Sequence, residues 1–135
     1  MLKEILESIK EKFTEKGIRN VYSAFDAYPA AKKGELFTVI GIGAFETAQP
    51  VYSQFSIFLP FRTEIELNIT ARRDMSMDSL YNYYCESIEP VLTGMADMNC
   101  TLKKMSVKFD SNIQRLVLNV RMSASGMNRM ERNVI

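Results

Sequence analysis

The chain has 135 residues, a length that fits one domain, and a domain of this size buries roughly two-thirds of the surface its unfolded chain exposes. With 47% hydrophobic residues, 24% charged residues and a formal net charge of +1, it has an ordinary globular composition and no overall field to draw in nucleic acid or anionic lipid. Histidine is absent, which leaves a hydrolase triad without its usual base, and with only Cys85 and Cys100 as thiolates a zinc site would have to be assembled between chains.

Leu2, Ile5, Leu6, Ile9 and Phe13 recur at i, i+3, i+4, i+7 and i+11, with Lys, Glu and Ser on the remaining faces. That spacing predicts an amphipathic helix whose apolar stripe docks on a sheet, with Gly17 as its left-handed cap. The charges interrupt the apolar residues every two or three positions, unlike a signal peptide or membrane span, so the protein is expected to stay in the cytosol. Residues 19 to 25, RNVYSAF, suit a short strand, and AYPAAKKG, with Pro29, Lys32, Lys33 and Gly34, has the composition of a surface loop. The chain returns as ELFTVIGIGAFET, with Phe37, Val39, Gly41 and Gly43 on one face and Leu36, Ile40, Ile42 and Ala44 mostly on the other. Two partly covered faces place this strand inside the sheet.

Gln49-Pro50 breaks the chain before VYSQFSIFLPFRTEIELNITARR. In its second part Ile65, Leu67, Ile69 and Ala71 alternate with Glu64, Glu66, Asn68 and Thr70, the pattern of a strand packed on one side and wetted on the other. In its first part Phe55, Ile57, Phe58, Leu59 and Phe61 are more apolar than a solvated connection requires, while Pro60 disfavours a central ladder position. This stretch is either a strand start on the domain's own core or an apolar arm that docks on a neighbouring subunit. Asp74 and Ser76 are N-cap candidates for a second helix from about Ser76 to about Thr93, carried by Leu80, Tyr84, Ser87, Ile88 and Val91; Pro90 should kink its last turn or end it near Glu89. Cys85 falls on that helix's apolar face, and both cysteines read as free.

Two strands close the domain, TLKKMSVKFD, with Leu102 offset from the alternating Met105, Val107 and Phe109, and IQRLVLNVRMSA, with Leu116, Leu118, Val120 and Met122 inward. Asp110-Ser111-Asn112 supplies the turn of a hairpin between them. The sequence therefore predicts an α+β domain over residues 1–125, a mostly antiparallel sheet of about five strands with two helices packed on it, in the order α-β-β-β-α-β-β. Residues 126–135 are expected to form a mobile tail unless a partner orders them.

Gly41-Ile42-Gly43 resembles the start of a dinucleotide fingerprint, but position 46 is Glu and the strand pattern runs on to Thr47. Glu64 and Glu66 stand about 7 Å apart on one strand face, with nothing apolar beside them to separate their pKa values for acid and base work. A solvated or subunit-facing surface fits them better. Arg72-Arg73, Lys103-Lys104 and Lys108 are too few, and too little interleaved with aromatics, for a nucleic-acid patch. Tyr81, Tyr83 and Tyr84 crowd one helix and cannot all point inward, so at least one is expected at the surface, where tyrosine is a common interface residue.

The run ELNITARR leading into DSLYNYYCESIEPVLTGM, within this order of elements, resembles the tail terminator proteins of long-tailed phages and phage-derived tail-like particles. The strongest local likeness is ESIEPVL, where a helix after an amphipathic strand ends near a proline flanked by Ile88, Val91 and Leu92; the likeness covers about residues 1 to 125. The longer, more apolar VYSQFSIFLPF departs from the family pattern. The resemblance implies a structural protein rather than an enzyme, without catalytic residues, cofactor or metal: a hexameric ring that caps the tail tube, stops its growth and joins it to the head. Its partners would be copies of itself, the tube and head–tail connector proteins, with no membrane and no sequence-specific nucleic acid. It would be found in the host cytoplasm during assembly and in the virion tail afterwards. The candidate subunit interface is Phe55, Phe58, Phe61, Glu64, Glu66, Arg72, Arg73 and Tyr83. The alternatives are another phage part (tube, baseplate or head–tail joining subunit), or a small α+β ligand-binding domain or enzyme.

Overall fold

A computed structural model describes residues 2–18, 20–23, 36–96 and 98–131. The predicted loop around Lys32 and Lys33, the ends of the first predicted strand and the last four residues of the predicted tail lie outside them. Helix α1 (Leu2–Glu15) is followed by strands β1 (Val21–Ser23), β2 (Phe37–Thr47), β3 (Val51–Tyr52) and β4 (Ser56–Arg72). A second helix is built of α2 (Met77–Tyr83), a π-helical turn (Tyr84–Ile88) and α3 (Glu89–Thr93), and β5 (Met98–Asp110) and β6 (Arg115–Glu131) close the chain. The sheet runs β1-β2-β4-β6-β5, with β1 parallel to β2 and every other pairing antiparallel.

The first helix ends as its sequence requires. Gly17 takes φ of 79°, its N–H donates to the Thr14 carbonyl at 3.0 Å and the Ile18 N–H donates to the Phe13 carbonyl at 2.9 Å. This is a Schellman cap, which satisfies carbonyls the helix would otherwise leave bare. Ser76 caps the second helix, its side chain accepting from the Ser79 N–H. Pro90 does not stop that helix at Glu89. The preceding turn widens instead, the Glu89 N–H donating five residues back to the Tyr84 carbonyl, and Pro90 enters the first turn of α3, where its missing N–H costs little.

Both helices cover one face of the sheet. Ile65, Leu67, Ile69 and Ala71 of β4 and Leu116, Leu118, Val120 and Met122 of β6 form one buried cluster with Leu6, Ile9, Phe13, Leu80, Tyr84, Ile88 and Leu92. Burying each large aliphatic side chain here stabilises the fold by roughly 1.5–3 kcal/mol relative to exposure. Cys85 departs from its expected place on this apolar face. It is exposed, because Tyr84 and Ile88 take the inward positions of the wide turn and carry Cys85 around to solvent.

The sheet has six strands where the sequence predicts about five, so the order becomes α-β-β-β-β-α-β-β. The added strand comes from the stretch after Pro50. Val51 and Tyr52 turn back at Ser53 to pair with Phe58 and Ile57, and β3 takes the place beside β4 that β2 vacates at Thr47, opposite Phe61. Pro60 is tolerated for the same reason. Its carbonyl accepts from Ala48, so its donor-less nitrogen faces the side where the β2 ladder has ended. The second departure is at the C-terminus: β6 does not end with the domain boundary drawn at residue 125, because Gly126 to Glu131 stay in register with Phe61 back to Ser56.

Candidate functional site

The sheet's other face is left open by the helices, and it carries two distinct features. The first is a polar groove of about 500 Å³ across β4, β6 and β5, lined by Glu66, Asn68, Ser106, Lys108, Asn119 and Arg121 among others. Asn119 holds its centre, its Nδ2 donating to Glu66 Oε1 at 2.7 Å and to Asn68 Oδ1 at 2.9 Å. Sequence alternation places these three residues on the wetted face but does not reveal the bridge, which depends on the β4–β6 register that sets Asn68 opposite Asn119. Toward the β1 side this face closes over. Phe37 is buried edge-on to Tyr22, with ring centroids 6.4 Å apart, and the Arg115 guanidinium lies 5.6 Å from the centre of its ring, a favourable cation–π distance.

The second feature is an arm. β4 and β6 are 17 residues long each; their core positions run from Phe61 to Ala71 and from Leu116 to Ala124, and the remaining paired stretch, residues 56–60 with 127–131, extends past them as an arm together with β3. Ser53 tightens its tip, the Ser53 N–H and hydroxyl both reaching the Ser56 carbonyl at 2.9 and 3.0 Å and the Ser56 N–H donating to Ser53 Oγ. Among the described residues, four large exposed hydrophobics gather on the arm: Phe55 is 69% exposed, Tyr52 64%, Met127 55% and Val51 49%.

The candidate residues named from sequence separate into four environments. Phe55 sits at the arm's tip and Phe58, half-buried, on its shaft opposite Val51 and Arg129. Phe61 points into the domain's own core, where its ring stacks on Phe45 at 5.8 Å; its parity with Ile65 and Leu67 puts it on the helix side, so it is not an exposed surface group. Glu64 is exposed and Glu66 half-buried on the open face, while Arg72 and Arg73 stand exposed beyond its end, Arg72 Nε 3.4 Å from Asp74 Oδ1. Tyr83 is half-buried on the second helix, and burial raises its pKa above the ordinary tyrosine value. The structure thus brings Phe55 and Phe58 together and leaves Tyr83 on the opposite layer. Val51 and Tyr52, at the start of the apolar VYSQFSIFLPF segment, belong with the arm, as does Met127, which escapes sequence reasoning because its place follows from strand β6 running on past residue 125.

Among the described residues no three His, Cys, Asp or Glu side chains come together as a metal-holding group. Gly41 and Gly43 lie within β2 with no helix following, so the glycine pair has none of the strand–turn–helix geometry a pyrophosphate requires. Among the described residues no helix is long and apolar enough to cross a membrane.

No family model matches the sequence, and no curated protein matches it. Solved structures do match its shape. A chain from the virion of a native gene transfer agent particle superposes with a TM-score of 0.52 at 8% identity, covering 89% of this chain and 92% of that one. The chain shares its fold with a component of that virion. A second solved chain superposes with a TM-score of 0.53 at 6% identity over 98% and 97% of the two lengths. The fimbrial biogenesis protein PilO of Pseudomonas aeruginosa reaches a TM-score of only 0.30, too loose to carry an argument.

Proposed function

We propose that the protein is a structural subunit of a phage-like particle, and specifically a tail terminator: a ring-forming subunit that caps the tail tube and joins it to the head. The observation that carries this reading is the shared fold with a gene transfer agent virion chain over nearly the whole of both lengths. The open polar sheet face and the apolar arm support it, since a subunit that works by contact needs broad surfaces rather than a cleft. In this reading the arm's exposed Val51, Tyr52 and Phe55 dock on a neighbouring subunit or on the tube end, and the protein performs no reaction. It assembles in the host cytoplasm and remains in the particle.

The test is to polymerise the tail-tube protein of the same genome with and without this chain and measure tube lengths by negative-stain microscopy. A terminator shortens and narrows the length distribution and appears as a cap at one tube end. Tubes of unchanged length with bare ends would remove the reading.

A further inference from the structure

We propose that the outer edge of β5 is a docking site for an extended segment of another protein, one in which acidic and apolar residues alternate, added to the sheet as a further strand. β5 closes the strand order, pairing with β6 on one side and with no described strand on the other. Past the register shift between Leu102 and Lys104, the stretch from Lys104 to Asp110 runs in unbroken register with Arg121 back to Arg115, long enough to template a partner strand. The site does not depend on where in a particle the chain sits.

The two faces of that edge set the chemistry of the partner. Lys104 stands opposite Arg121 and Lys108 opposite Val117, on the open face, whereas Met105, Val107 and Phe109 stand opposite Val120, Leu118 and Leu116, on the helix side. Lys103, Lys104, Lys108 and Phe109 are exposed, and Met105 and Val107 half-buried. A strand added here meets cations on one face and apolar side chains on the other. Directly opposed pairs of opposite charge, or of apolar groups, hold such a ladder together.

Folding does not account for this charge. Lys104 and Arg121 are like charges directly opposed, which works against the sheet. Lysines on an edge do repel unwanted pairing, but Arg121 is flanked by strands on both sides, where no edge needs blocking. Glu66 faces Arg121 from β4 and Asp110 ends β5, and the two offset part of the charge. Both carboxylates are already bonded, Glu66 to Asn119 and Asp110 to the Asn112 N–H. None of Lys103, Lys104, Lys108 and Arg121 is in an ion pair among the described residues. Four cations against two carboxylates leave the edge net cationic, and an acidic strand complements it. A second copy does not supply that strand. Among the described residues the chain's own alternation of acidic and apolar side chains, Glu64 to Leu67, lies in β4 with both edges taken by β2 and β6.

The experiment titrates the full chain with labelled synthetic peptides of about eight residues, followed by fluorescence anisotropy and amide hydrogen exchange. One peptide alternates glutamate and valine, one has the same composition with all glutamates before all valines, and one alternates lysine and valine. The alternating acidic peptide should bind about tenfold or more tightly than the other two, slow exchange over residues 104–110, and weaken as salt rises from about 50 mM to about 0.5 M. Lys104→Glu/Lys108→Glu should reverse the preference toward the lysine–valine peptide with no loss of melting temperature, since a carboxylate at position 104 faces Arg121 favourably. Equal binding of the three peptides, no binding up to about 1 mM, protection outside β5, or a variant that binds like wild type would overturn the docking edge and leave the lysines as a guard against strand pairing. A single-stranded oligonucleotide that binds this edge more tightly than the acidic peptide would overturn it in favour of nucleic acid.

Discussion

Tyr84 is fully buried, yet its hydroxyl has no hydrogen-bond partner among the described residues. A hydroxyl left unpaired in this way costs about 1–3 kcal/mol. Tyr84→Phe is therefore expected to stabilise the fold by about 1 kcal/mol, measured as a higher urea midpoint at unchanged slope; a lower midpoint would mean the hydroxyl is satisfied. Burial, with the nearby Glu89 charge adding to it, pushes the Tyr84 pKa up to about 12, whereas an unfolded tyrosine ionises near 10. The unfolded state loses its proton first as pH rises. Stability should be complete below about pH 10 and decline between about pH 10 and 12, and Tyr84→Phe should flatten that decline. Leu67→Ala or Leu118→Ala, both fully buried, should each cost about 2–5 kcal/mol through lost burial and a residual cavity. Glu66→Ala should cost less, since Asn119 keeps Asn68 as an acceptor; equal losses in denaturant unfolding would show that the two faces are wrongly assigned.

At the scale of elements, the arm and the core make opposite demands on similar residues. Phe55→Asp places a charge on a side chain already in water, so melting by circular dichroism should not change while assembly and tube capping fail. Phe61→Asp buries an unpaired charge against Phe45 and should lower stability by several kcal/mol. The reverse pattern would place the arm in the core. Alternation made β4 and β6 legible where one face is packed and one wetted, and helical spacing with Gly17 and Ser76 at the ends made both helices legible. The offset of Leu102 from Met105 and Val107, which by itself did not predict a bulge, coincides with the register shift between Leu102 and Lys104. What stayed hidden depended on long-range pairing. Nothing local marks Val51 and Tyr52 as a strand, since two residues hold their place only through Ile57 and Phe58. Residues Gly126 to Arg129 read as tail because their order is imposed by β4 rather than by a pattern of their own. The π turn was hidden too, since a widened turn answers a steric conflict at Pro90 that sequence shows only as a probable break.

For the whole molecule, the solvent-facing placement of Glu64 and Glu66 was legible in the sequence, while the burial of Phe61 was not. Glu64 and Glu66 lie on the open face as their alternation requires, whereas Phe61 shares the composition of the arm but the parity of the core. The arm and the open face are the surfaces that the proposed subunit would offer its neighbours; the match to a gene transfer agent virion chain shows a shared fold. Its position in the particle is the central claim, and gold labelling of an epitope-tagged chain in purified native particles, viewed by negative stain, tests it most directly. A terminator places the label at the head–tail junction; label along the tube, at the distal tip or on no particle at all would contradict the account.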